Sequence, residues 1–122
     1  MTVSEALQNV DNLRPNTFSD EQKCKWLSTF DKSVNNLHRK YKDGGYAEDF
    51  EDYTPDNIDR TLLIESPFDE IYSHYLFAQI DYYNGEFDSF NNSNAMYEAV
   101  FGDYKRWFNR THTPLNTFHR YF

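Results

Sequence analysis

Apolar residues recur with helical spacing in four separate stretches of this sequence. The clearest stretch runs from Cys24 to Tyr41, where the apolar positions step by three or four residues over about five turns. Such spacing places the apolar side chains on one face of an α-helix. Ser19 and Gln22 form a capping pattern before this stretch, and Gly44-Gly45 predicts its end.

Two further stretches carry recognisable helix boundaries. Thr2 and Glu5 form a capping box, and the short helix that follows should stop before Pro15. Ser66-Pro67 predicts the start of a third helix, with serine as the N-cap and proline at the first helical position. This third helix is apolar around most of its circumference, which predicts a central position, and Asn84-Gly85 should end it.

The fourth stretch follows after a very short link, so the third and fourth helices should form an antiparallel hairpin. Its apolar positions alternate in steps of three and four, which is the pattern of a heptad seam. Asn94 interrupts this seam, and we expect it at a core position where a polar group fixes the register. The seam consists of Phe87, Phe90, Asn94, Tyr97, Phe101, Tyr104 and Phe108.

Residues 45–65 lack a clean period, and a Thr-Pro-Asp-Asn turn at 54–57 interrupts them. We expect a long ordered loop here, with a two-stranded piece as the alternative to an irregular path. The sequence therefore predicts an all-α fold: a small bundle of about four helices with a long acidic loop between the second and third. We assign residues 1–113 to one helical domain and residues 114–122 to a C-terminal tail.

Charge is distributed unevenly along the chain. The net charge is −8, yet residues 43–70 carry ten acids against Arg60 alone, whereas from Tyr104 onward there are four cations and no acid. An acidic balance disfavours nonspecific binding to nucleic acid phosphates. The chain therefore combines an acidic middle with a basic, aromatic C-terminal end.

No pattern of catalytic or metal-binding residues stands out. Cys24 is the single cysteine, and its place in an apolar stripe predicts a buried small hydrophobe. The four histidines lack metal-ligand spacing, and we expect them at the surface or at an interface. We therefore expect no enzyme, cofactor or metal. With no signal-peptide pattern and no apolar run of about 18–20 residues, we expect no membrane and a reduced, cytosolic setting.

Three segments carry a resemblance that spans nearly the whole chain in the same order. They are Arg14–Lys23 (RPNTFSDEQK) with Trp26-Leu27 after it, Ile80–Ser93 (IDYYNGEFDSFNNS), and Asn109–His112 (NRTH). These segments resemble small proteins encoded among the head genes of phages and prophages of Gram-positive bacteria. Those proteins look like head–tail connector (adaptor) subunits, and the resemblance does not extend to the C-terminal tail.

The resemblance implies a structural virion protein that forms a ring between the portal protein and the next neck or tail component. It implies the virion neck as the location, reached from the host cytoplasm during assembly, with self-association in the ring. DNA would pass through this ring without specific binding, past an acidic loop that repels phosphates. We assign the channel-facing role to Glu48, Asp49, Glu51 and Asp52, and portal docking to Arg106, Trp107, Arg110, Phe118, Arg120 and Phe122.

Other classes of protein stay open at this stage. Another phage neck or tail component would share the helical pattern. An inhibitor that mimics DNA would use the acidic middle to bind a DNA-handling enzyme, although the basic end dilutes that charge. A hydrolase or metal-dependent enzyme would require a pocket with convergent polar groups, for which the sequence provides no motif.

Overall fold

The fold is a bundle of four helices. The computed structural model describes residues 1–41 and 49–112. Within these ranges the helices are α1 (Val3–Leu13), α2 (Asp20–His38), α3 (Ile71–Tyr83) and α4 (Phe87–Thr111). The prediction of a small all-α bundle is confirmed. One antiparallel bridge joins Thr2 to Thr61. Residues 49–65, the described part of the segment for which a two-stranded piece was the alternative, contain no named strand.

Helix α1 begins and ends as its sequence predicts. The Thr2 hydroxyl accepts a hydrogen bond from the Glu5 amide at 3.2 Å, and the Glu5 carboxylate accepts one from the Thr2 amide at 3.0 Å. This reciprocal pair satisfies two amides that the first turn leaves without helical partners. The helix buries Val3, Ala6, Leu7 and Val10.

Helix α2 begins as predicted and ends earlier than predicted. The Ser19 hydroxyl accepts the Gln22 amide at 3.1 Å. At the other end, the amides of Lys40 and Tyr41 bond to carbonyls only three residues back, at 3.2 and 3.1 Å, so the chain leaves the α-helix after His38. This tightened turn holds the Tyr41 ring 4.9 Å from the Phe108 ring. The predicted stop at Gly44-Gly45 lies outside the described residues.

The predicted start of α3 at Ser66-Pro67 is wrong. The Ser66 hydroxyl lies 3.1 Å from the Asp69 carboxylate and makes no cap to a helix amide. A 3₁₀ turn at Phe68–Glu70 comes first, and α3 begins only at Ile71. A local side-chain bond between serine and aspartate competes with capping in this way.

The turn between α3 and α4 closes as Asn84-Gly85 predicts. Gly85 has φ +74°, a conformation that glycine adopts without steric cost. The Gly85 amide donates to the Tyr82 carbonyl at 3.1 Å, and the Glu86 amide donates to the Asp81 carbonyl at 2.9 Å. These two bonds form a Schellman motif, and the antiparallel hairpin of α3 and α4 follows from it.

The core is built around aromatic rings. The Phe30 ring on α2 lies 5.0–5.8 Å from the rings of Tyr72 and Tyr75 on α3 and of Tyr97 and Phe101 on α4. One side chain therefore joins three helices. Cys24 is buried among the apolar residues, as predicted.

The heptad seam of α4 is confirmed only over its later part. Tyr97 and Phe101 pack against the core, and Tyr104 and Phe108 are buried in it. The expectation for Asn94 is wrong, because this residue is half-exposed and its amide donates to Glu98 on the same helix. Phe87, the first seam residue, is 60% exposed. The first turns of α4 extend past the buried core, so this part of the seam contacts the exposed ring of Tyr82, 5.4 Å from Phe90 and 6.3 Å from Phe87, and stays partly uncovered.

The bundle has two chemically different ends. At one end, which we call the hairpin end, Trp26 of α2 stacks on Tyr83 of α3 at 5.5 Å. At the other end, the C-terminal turns of α2 and α4 meet, where His38 stacks on Phe108 at 4.3 Å. We call this second end the basic end, because it exposes Arg39, Lys40, Lys105, Arg106 and Arg110.

Candidate functional site

The acidic loop is tied to the bundle by one buried carboxylate. Asp31 of α2 is fully buried. It accepts hydrogen bonds from the hydroxyl of Tyr53, from the hydroxyl of Tyr72 at 2.7 Å, and from the amide of Leu63 at 3.2 Å. Burial raises the pKa of this carboxyl, and the three donated bonds oppose that rise in part. Asp31 thus joins the loop to two helices.

Further contacts order the exposed part of the loop. The Tyr53 amide donates to the Ser28 hydroxyl at 2.8 Å. The Arg60 guanidinium lies 4.6 Å from the Tyr53 ring and donates to the carbonyls of Glu51 and Asp52. The one cation of the acidic segment therefore folds back on the loop and fixes its backbone.

The structure brings three of the four channel-facing residues predicted from the sequence onto this ordered loop. Asp49, Glu51 and Asp52 are exposed, and Glu48 lies outside the described residues. Asp52 pairs with Lys32 of α2 at 2.8 Å, and both side chains are more than half exposed. Such exposed pairs contribute little free energy. Lys32 offsets the charge of Asp52, and exposed Asp49 and Glu51 keep this surface acidic.

Three of the six residues assigned to portal docking lie at the basic end. Arg106 and Arg110 are exposed, and Arg106 forms an ion pair with Asp103. Trp107 is half-buried, with its ring 4.9 Å from the Phe68 ring, so it contributes to packing and still presents surface. The other three, Phe118, Arg120 and Phe122, lie outside the described residues.

The expectation that the histidines lie at the surface is wrong for His38, which is fully buried. Its Nε2 atom hydrogen-bonds with the Tyr104 hydroxyl. The Phe108 ring is sandwiched between the rings of His38 at 4.3 Å and His112 at 3.7 Å. Burial, together with the charge of nearby His112, lowers the pKa of His38 from 6.5 to about 4. His38 is therefore neutral at physiological pH.

This histidine predicts a loss of stability in mild acid. Because the pKa of His38 is lower in the folded than in the unfolded chain, its contribution is complete above pH 6.5 and is lost as the pH falls to about 4. We expect the loss to be on the order of 3 kcal/mol. Urea unfolding of the wild type and of His38→Gln between pH 7 and pH 4 would measure it.

The glutamine variant keeps a hydrogen-bonding group for Tyr104 but cannot titrate. The raised pKa of Asp31 acts in the opposite sense, because its protonation in acid favours the folded state, and it cancels in the difference between the two chains. Equal pH slopes for the two chains would contradict the assignment to His38.

The hairpin end carries a groove lined by aromatic rings. The groove has a volume of about 240 Å³ and lies between α3 and α4. Tyr82 and Tyr83 on its edge are 50% and 60% exposed, and Phe87 and Met96 close by in sequence are 60% and 50% exposed. We call this feature the aromatic groove; it is lined by Tyr75, Ala78, Gln79, Tyr82, Tyr83, Phe90, Asn94 and Tyr97.

Three acidic residues lie next to lining residues of the aromatic groove in contact or in sequence, and we call them its acidic rim. Glu86 and Asp88 are exposed at the start of α4, and exposed Glu98 accepts a hydrogen bond from Asn94 in the groove wall at 3.3 Å. Clusters of exposed aromatic residues are typical of surfaces that bind other molecules. The sequence did not reveal this groove, because the heptad pattern predicted that Phe87, Phe90 and Asn94 would be covered.

The other clefts and charged clusters among the described residues are weaker candidates for a functional site. A cleft of about 690 Å³ lies between α2 and the acidic loop and is lined by side chains of both charges. In residues 1–41 and 49–112, no group of three or more histidine, cysteine, aspartate or glutamate side chains is placed to hold a metal ion. No helix in the same ranges is long and apolar enough to cross a membrane.

Residues from the first two segments that carry the family resemblance contact each other in the fold. Arg14, from the link between α1 and α2, forms an ion pair with buried Asp81 of α3. The Ser93 hydroxyl of α4 donates to the same carboxylate at 2.7 Å. These segments therefore hold the hairpin end together. Comparison of the chain with protein-family models, curated proteins and solved structures gives no match.

Proposed function

We propose that this chain is a structural assembly protein, a head–tail connector (adaptor) subunit that forms a ring between a phage portal and the next neck or tail component. The observation that carries the proposal is the pair of unlike ends on one bundle. One end presents aromatic rings within an acidic rim, and the other presents exposed cations beside Trp107. A subunit with two different contact surfaces is suited to a ring that also meets axial partners.

The acidic loop supports the part of the proposal that concerns DNA. Asp49, Glu51 and Asp52 are exposed on a loop that Asp31 and Ser28 anchor. A wall of fixed negative charge repels phosphates, so DNA would slide past it instead of binding. We place this loop at the channel of the ring.

The basic end is the surface that we propose for the portal. Arg106, Trp107 and Arg110 combine charge with an aromatic face, a combination common at interface centres. We place this contact on these three described residues, out of the six assigned to it from the sequence.

Co-sedimentation with portal-containing, tailless heads tests the proposal. We expect saturable binding at a fixed number of chains per head. Arg110→Glu should weaken binding about tenfold, because it reverses a charge in the contact. Lys25→Glu makes the same change on an exposed residue of α2 and should bind like the wild type.

The outcomes separate the candidate classes. If neither the wild type nor the control variant binds heads, the adaptor role is wrong, and binding to assembled tails would then identify another neck or tail component. Binding to a DNA-handling enzyme that depends on Glu51 and Asp52, with none to heads or tails, would identify an inhibitor that mimics DNA. If Arg110→Glu binds heads like the wild type, the adaptor role stands and the portal surface lies elsewhere.

A further inference from the structure

We propose that the aromatic groove of one copy receives the C-terminal segment, residues 113–122, of a second copy of this chain. The groove is open, and its walls are Tyr and Phe rings with two amide side chains, Gln79 and Asn94. Such a surface takes an extended segment that offers apolar side chains and backbone groups for hydrogen bonding. In the proposed ring, this contact would join neighbouring subunits. Only this role in the ring rests on the proposed function.

The composition of the segment matches the groove. Thr113–Phe122 carries Leu115, Phe118, Tyr121 and Phe122, together with His119 and Arg120, and has no acid. Exposed Glu98 contacts Asn94 in the groove wall, and Glu86 and Asp88 are exposed within four residues of Phe90, which also lines the groove. A basic aromatic segment and an acidic aromatic groove are complementary in charge and in apolar surface.

Chain length limits how much of the segment could enter the groove of the same copy. Asn94 in the groove and His112 at the start of the segment are both on or next to α4, and about 27 Å of helix separates them. Six extended residues, from Thr113 to Phe118, span at most about 22 Å. In its own copy the segment could therefore bring only its last few residues into the groove, whereas a second copy can present Leu115, Phe118 and Phe122 together.

The same charges disfavour a contact between two grooves. Such a symmetric contact would bring the acidic rims of two copies together, and their like charges would repel each other. A contact between the segment of one copy and the groove of the next is heterologous, and a chain of such contacts closes into a ring where the rotation permits. Phe118, Arg120 and Phe122 are thereby assigned to a neighbouring copy, while Arg106, Trp107 and Arg110 stay with the portal.

A binding titration tests this assignment on the full chain. The probe is a fluorescent peptide with the sequence of residues 113–122, and the readout is its anisotropy as protein is added. We expect saturable binding that weakens with salt, because charge contributes. Tyr82→Ala should raise the Kd about tenfold. Leu13→Ala removes another exposed apolar side chain, 71% exposed and outside the groove, and should leave the Kd unchanged.

A peptide with Arg120→Glu should also bind more weakly, since it faces the acidic rim. Absence of saturable binding by the wild type up to about 1 mM would overturn the proposal. An equal Kd for Tyr82→Ala and the wild type would also overturn it. None of these readouts requires heads or portal, so they fail independently of the adaptor role.

Disulfide pairing supplies a second, independent measurement. One full-length chain carries Tyr82→Cys and another carries Phe118→Cys, and the native Cys24 is buried. Under a mild oxidant on portal-containing heads, we expect the mixture to form the disulfide between the two different chains. Formation only of disulfides between identical chains, or of none while the wild-type chain binds the same heads, would contradict the contact of segment and groove.

Discussion

Replacing Asp31 with alanine is expected to destabilise the fold by about 3–5 kcal/mol. The change removes the acceptor for two tyrosine hydroxyls and for the Leu63 amide. A buried donor left without an acceptor costs about 1–3 kcal/mol of stability, and here several donors lose their acceptor at once. Burial raises the pKa of Asp31, so its ionised form is itself costly, and the variant regains part of that free energy. Chemical denaturation with far-UV circular dichroism would measure the loss.

Glu51→Ala is the matched control, because Glu51 is an exposed acid on the same loop. We expect it to change the free energy of unfolding by no more than about 0.5 kcal/mol. If Asp31→Ala were as stable as Glu51→Ala, the carboxylate would not be holding the loop to the bundle.

Replacing Phe30 with alanine is the second substitution with a large expected effect, about 3–5 kcal/mol. The side chain is 2% exposed, and its ring contacts four rings on α3 and α4. Truncation removes the buried area and leaves a cavity that surrounding helices fill only in part. Thermal and urea unfolding would both report the loss.

Phe30→Leu separates the cavity from the loss of aromatic contacts, since leucine restores much of the volume. We expect it to fall between the wild type and Phe30→Ala. Phe87→Ala is the exposed control and should leave stability nearly unchanged, because Phe87 is 60% exposed. A large loss for Phe87→Ala would mean that the hairpin end is covered by a contact within the chain.

The helices could be predicted from the sequence because their signals are local. Apolar periodicity and the caps at Thr2, Ser19 and Gly85 act within a few residues, and the structure confirms them. One error arose where a distant contact decides the outcome, and the other where a local side-chain bond competes with a helix cap. The turn after His38 packs Tyr41 on Phe108, and the Ser66 hydroxyl bonds to Asp69 instead of capping α3.

The surfaces were harder to predict than the helices. Exposed charge at Asp49, Glu51, Arg106 and Arg110 follows from sequence, because charged side chains seldom lie buried. The aromatic groove could not be predicted in this way, because the heptad pattern of α4 continues past the end of the core that would cover it. Buried His38 and Asp31 also escaped prediction, because their partners lie 22 to 66 residues away in sequence.

The anchoring of the acidic loop has a consequence for any molecule that meets it. When a loop becomes ordered only on binding, its lost conformational entropy weakens the binding by on the order of 1–2 kcal/mol per residue fixed. Asp31 and Ser28 have already fixed this backbone during folding. A partner that contacts Glu51 and Asp52 therefore binds a preorganised surface. Its affinity for the loop would depend on charge and shape alone.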